Sequence, residues 1–191
     1  MSGLCGWFAG AGAGAASPDA IAAMAAAINR FDSSAVRSAF AAFGSIAVSG
    51  DADVFHDDGQ LVAIWGRARF TDVELAELAQ RHGIAPALSQ GYARKRTDVL
   101  EALSGAFALA ILDGRSGEAV LAIDRMGTRP LCYCVVSGTL VFGSTLDAIS
   151  AFPRSTAETN RQAIYDYVYF HMVPGPPPSM PAVIACCRDP C

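Results

Sequence analysis

The chain has 191 residues, 52% hydrophobic and 17% charged, which is enough for one sizeable buried core and cramped for two. Its net charge is -4 and its Lys and Arg residues are scattered apart from Arg94-Lys95-Arg96, so nucleic acid and anionic membrane surfaces are poor electrostatic partners. No apolar run reaches the length of a spanning helix, and no basic and apolar leader precedes Cys5, so membrane insertion and secretion are excluded as expectations and the cytoplasm is the expected compartment.

In chain order, Leu4 to Ala9 reads as a short strand, followed by a Gly/Ala loop through Ala16. Ser17-Pro18 opens a helix whose stripe of Ile21, Met24, Ala25 and Ile28 ends before Asp32-Ser33-Ser34. Phe43 to Ser49 and Gln60 to Gly66 read as strands around an acidic turn region, Asp51 through Gly59, with His56 exposed near its middle. Thr71-Asp72-Val73-Glu74 has the spacing of a capping box for a helix that stops at His82-Gly83, with His82 as a last-turn cation.

A second helix is expected to end near Leu103, and Arg94-Lys95-Arg96 reads as a solvated helix face. Four apolar runs follow: Ala106 to Leu112, Ala119 to Ile123, Leu131 to Val136 and Leu140 to Gly143. Asp113-Gly114-Arg115-Ser116-Gly117 and Ser137-Gly138 between them have hairpin composition, so the runs pair into two antiparallel ladders. Thr159-Asn160 opens a last helix to about His171, ended by Pro174-Gly175-Pro176-Pro177-Pro178. The pattern as a whole predicts a layered α+β fold, with strands in two sheets and helices outside.

Of the six cysteines, Cys132 and Cys134 are two apart in one strand and face one side, which suits cytosolic thiols better than disulfides. Cys186, Cys187 and Cys191 lack a matching ligand pair of zinc spacing, so no metal site is expected. Cys5 is different in kind. On an apolar strand a cysteine is ordinarily a buried small hydrophobe. A cysteine whose own α-amine is free, however, carries nucleophile and base in one residue, because an α-amine pKa of about 7.7–8.0 leaves a neutral fraction near neutral pH. No phosphate-binding loop, dinucleotide glycine fingerprint or Gly-x-Ser-x-Gly elbow competes with it.

Four stretches resemble the glutaminase domain of the asparagine synthetase family, a class II glutamine amidotransferase of the N-terminal nucleophile hydrolase type. Cys5-Gly6-Trp7-Phe8-Ala9-Gly10 is similar to its opening Cys-Gly-Ile-x-Gly, and Leu103 to Asp113 to its Leu-x-Gly-x-Phe-Ala-Phe-Ala-x-x-Asp strand. Asp124 to Tyr133 resembles its Arg-Asp-x-x-Gly-x-x-Pro-Leu-Tyr segment, and Phe142-Gly143-Ser144 its Phe-Ala-Ser. The resemblance implies a four-layer αββα sandwich over residues 1–172, with residues 173–191 a linker and Cys-rich tail in an interrupted frame and the synthetase domain absent.

The resemblance further implies that glutamine is the substrate and Cys5 the nucleophile, once residues 1–4 are removed, with the Gly66 backbone N–H as an oxyanion donor. It places Trp65 where the family has an oxyanion-hole Asn, and Ser45 and Ile84 where it has the Arg and Asp that grip the substrate's charged ends. Without those partners, desolvating a zwitterion opposes binding. The domain itself needs no cofactor. ATP and magnesium belong to the synthetase domain or subunit that is the implied partner and ammonia acceptor. The competing expectation is a degenerate sandwich domain that binds such a partner without hydrolysing glutamine.

Overall fold

The computed structural model describes residues 3–9, 18–30, 34–57, 59–153, 155, 165 and 168–169. Strand β1 (Gly3–Ala9) leads to α1 (Pro18–Ile28), then to β2 (Val36–Ala41), β3 (Gly44–Ser49), β4 (Ala52–Asp57) and β5 (Gln60–Phe70). Helices α2 (Val73–His82) and α3 (Ile84–Lys95) and a 3₁₀ turn (Arg96–Ala102) precede β6 (Leu103–Asp113), β7 (Glu118–Ile123), β8 (Cys132–Val136), β9 (Thr139–Gly143) and α4 (Leu146–Ser150).

The strands form two sheets, one in the order β2-β3-β1-β9-β8 and the other β4-β5-β6-β7, with every pairing antiparallel. The central strands are apolar on both faces because both faces are covered. In β1, Leu4 and Phe8 join Leu61, Ala63 and Trp65 of β5 and Ala108, Ala110 and Leu112 of β6 in a core between the sheets. The alternate residues Cys5, Trp7 and Ala9 pack against Ile21, Met24 and Ile28 of α1 and Ala148 and Ile149 of α4. On the far side, Val62, Ile64, Leu109 and Ile111 meet Leu75, Leu88 and Tyr92 of α2 and α3. Three cores between four layers is the αββα sandwich that the sequence predicts.

Cys132 and Cys134 pack on the helix side of the first sheet as thiols, as their spacing predicts. Two expectations are corrected. Within the acidic stretch 51–59, Ala52–Asp57 is a strand rather than a turn region, because the carboxylates find partners elsewhere: Asp53 accepts the Ala85 N–H at 3.1 Å and Asp51, just before the strand, accepts the Trp65 indole N–H at 2.9 Å. His56 within it is exposed, as expected. The cap of α2 is Asp72, which accepts from the Leu75 N–H at 3.2 Å, while the Thr71 hydroxyl donates to the Ala102 carbonyl.

Arg94-Lys95-Arg96 is exposed, as expected, and its cations are paired there: Arg94 with Glu74, Lys95 with Asp72, and Arg96 with Asp113 and Glu118. Strand β2 had no signal in the sequence, because its two-residue turn to β3, Ala42-Phe43, lacks the Gly or Asn that marks a tight hairpin. The Gly/Ala loop, the Ser17 cap and the tail 173–191 lie outside the described residues, as does most of the expected last helix, whose positions 165, 168 and 169 are helical. No helix among the described residues is long and apolar enough to cross a membrane.

Candidate active site at Cys5 and Gly66

Cys5 lies in the middle strand of the first sheet, opposite Ala47 of β3 on one side and Gly143 of β9 on the other. Its side chain is fully buried against α1 and α4. Burial pushes the thiol up from 9.0 to about 12, against a smaller opposing pull from the Ala47 backbone hydrogen bond. At neutral pH the thiolate fraction is then on the order of 10⁻⁵, and the thiolate is the reactive form. In this intact chain the Cys5 nitrogen is a peptide nitrogen joined to Leu4. The carbonyl oxygen of that bond accepts the Ser144 N–H at 2.8 Å.

Gly66 lies in β5 of the second sheet, with φ at 109°. A Cβ there would stand 2.4 Å from the Ala106 carbonyl oxygen, so the position demands glycine. Its N–H donates to the Asp51 carbonyl at 3.3 Å. The neighbouring Trp65 points into the core between the sheets and donates its indole N–H to the Asp51 carboxylate. Arg129 lies over the Trp65 ring, 4.6 Å from its centroid, and pairs with the other Asp51 carboxylate oxygen at 3.2 Å.

The expected site residues are distributed over separate layers. Ser45, opposite Trp7 in the ladder, lies on the same face of the first sheet as Cys5 and donates its hydroxyl to the Ala39 carbonyl at 3.1 Å. Trp65 is in the core between the sheets, and Ile84 packs beyond the second sheet. Cys5 and Gly66 belong to different sheets.

Sequence reasoning gave no role to Asp51 or Arg129. The signal for Arg129 lay in the segment Asp124 to Pro130. Burial opposes charge on Asp124, but the Thr128 hydroxyl and the N–H groups of Met126, Phe107 and Thr128 hold its carboxyl below the usual range. That turn delivers Arg129 to Trp65. For Asp51 no sequence signal was available, because its partners come from β5 and from a loop 78 residues away.

Residues 85–185 match the family of glutamine amidotransferase domains. The chain belongs to that family, as a class II glutamine amidotransferase domain related to asparagine synthetase. The asparagine synthetase [glutamine-hydrolyzing] 3 of Bacillus subtilis (strain 168) is 31% identical over 77 residues, which are 40% of this chain and 12% of that protein. The chain therefore spans a small part of the length of this relative.

Among solved structures, the allosteric regulatory enzyme of purine biosynthesis superposes with a TM-score of 0.55 at 14% identity, over 78% of this chain and 43% of the other. Glutamine phosphoribosylpyrophosphate amidotransferase from B. subtilis, complexed with ADP and GMP, gives 0.49 at 14% identity over the same shares. The first of these likenesses establishes the fold.

Proposed function

We propose that this domain releases ammonia from glutamine through a Cys5 thioester, and that the intact chain is its latent form. The observation that carries the reading is the state of Cys5: a family nucleophile held inside a central strand, its nitrogen tied up as an amide and its thiol pushed to about 12. Opening the Leu4–Cys5 bond turns that nitrogen into an amine beside the sulfur. The amine takes the thiol proton, the thiolate adds to the glutamine side-chain carbonyl, and backbone N–H groups hold the oxyanion. The amine returns the proton to the departing ammonia, and water releases glutamate from the thioester.

No cofactor is assigned to this domain. ATP and magnesium would serve a synthetase domain or subunit that receives the ammonia.

A second reading is favoured by one observation. The Gly66 N–H, the Trp65 indole and the Arg129 guanidinium all converge on Asp51, closing the corner where an oxyanion would sit. On that reading the domain docks a synthetase partner without hydrolysing glutamine.

One experiment separates the two. Intact mass reports loss of residues 1–4, and a glutamine-to-glutamate assay compares the wild type with Cys5→Ala. A rate abolished by the substitution supports the hydrolase. Equal rates, or none in a trimmed wild type, leave the docking domain.

A further inference from the structure

Four buried side-chain polar atoms among the described residues have no hydrogen-bond partner, and two of them, Ser49 Oγ and Ser144 Oγ, belong to residues that flank Gly3. Ser49 stands directly across from Gly3 in the ladder between β1 and β3. A Cβ built on Gly3 would lie 2.1 Å from Ser144 Oγ. The serines are only 1% and 6% exposed. Buried hydroxyls are nearly always paired, and an unpaired one has lost its water without compensation. Ser144 Oγ thus borders the track along which Gly3 and Leu4 run into Cys5, and Ser49 stands across the ladder from it.

The same two residues frame the bond that the preceding reading requires to open. The Ser144 N–H holds the Leu4 carbonyl at 2.8 Å, and Gly143, just before it, is the ladder partner of Cys5. Gly3 is two residues from Cys5, about 7 Å along a strand, so a new terminus at Cys5 meets the hydroxyls only by moving into the space that Gly3 and Leu4 leave.

We propose that Ser49 and Ser144 are positioning residues for the Cys5 α-amine. This inference rests on the reading that Cys5 acts after the Leu4–Cys5 bond is hydrolysed. In that step one water is consumed: its oxygen joins the Leu4 carbonyl carbon, the C–N bond breaks, and the nitrogen takes a proton to become the amine. Residues 1–4 then leave the track, and the amine takes their place between the hydroxyls. A hydroxyl both donates and accepts, so it can attend the amine in either protonation state, as a group that takes and returns a proton requires. With alanine at either position the ammonium loses an acceptor and becomes more acidic, by about one pKa unit.

The test uses the full chain as wild type, Ser49→Ala, Ser144→Ala and Ser144→Thr. Intact mass measures cleavage, and thiazolidine formation with glyoxylate, which needs a free amine beside the thiol, is followed across the amine's titration. The wild type and Ser144→Thr are expected to share one midpoint, with both alanine variants about one unit lower. One midpoint for all four overturns the proposal and leaves the Cys5 hydrolase reading untouched. A chain that stays uncut overturns both. Shifted midpoints without glutamine hydrolysis uphold the role of the serines and overturn the hydrolase reading.

Discussion

Arg129 rests on the face of Trp65, its guanidinium carbon 4.6 Å from the ring centroid. The two residues also share the Asp51 carboxylate. The arrangement occupies the corner where the family resemblance expects an Asn side chain, so its strength measures how firmly that corner is closed. A double-mutant cycle between Trp65→Phe and Arg129→Gln isolates the pair. With Arg129 partly exposed, a coupling of about 0.5–1 kcal/mol is expected in denaturant unfolding. Additive effects would show that the corner is held by the Asp51 contacts alone.

Gly66 offers a sharper stability test. At φ of 109° an L side chain is strained, and the 2.4 Å approach is to a backbone carbonyl that cannot swing away. Gly66→Ala is therefore expected to destabilise by more than about 2 kcal/mol, read as a lower denaturation midpoint. A midpoint equal to the wild type's would mean that β5 bends freely here, and the position would lose its claim to a specialised backbone.

How far these features could be read from the sequence depended on how local their causes are. The chain spacing showed the two ladders of β6–β7 and β8–β9, because alternation and turn glycines lie within a few residues of one another. It underestimated β6, whose first residues are held by Leu103 facing Phe70 across the sheet. Strand β4 was hidden because Asp51, Asp53 and Asp57 carry turn composition, while their partners Arg129, Ala85 and Arg115 come from distant elements. Cys5 was legible as a candidate from its motif alone. That Trp65 and Ile84 face different cores was not, since neither the layer order nor the sheet order is written in local periodicity.

Asp124 gives a pH-dependent prediction. Its folded pKa is lowered from 3.8, so the stability it contributes is present above that value and is lost as the pH falls below it through the folded pKa. Asp124→Asn loosens the turn that carries Arg129 and should lower stability by about 1–3 kcal/mol at neutral pH. Unfolding followed down an acid series should show the gap between wild type and variant closing below the ordinary carboxylate value. A gap constant with pH would indicate that the turn is held by shape rather than charge.

Cys5 titrates with the opposite sign. In the intact chain its pKa rises from 9.0 unfolded to about 12 folded, so the thiol stabilises the fold fully below pH 9 and progressively less as the pH climbs towards 12. Over the whole window the loss is of order 4 kcal/mol. It is measured as the difference between the wild type and Cys5→Ala, which has no group to ionise there and cancels the titration of tyrosines and lysine common to both. Across the same window, alkylation of Cys5 by iodoacetamide in the folded chain, located by peptide mapping, should stay slow well past the pH at which an exposed thiol reacts. Trimming at Leu4 should abolish this protection, bringing fast alkylation near neutral pH, because the sulfur then has a neighbouring amine to take its proton and an open strand end beside it. If Cys5 of an intact chain is instead modified rapidly at neutral pH, its thiol is already accessible and ionised, and the latent form of the domain does not exist.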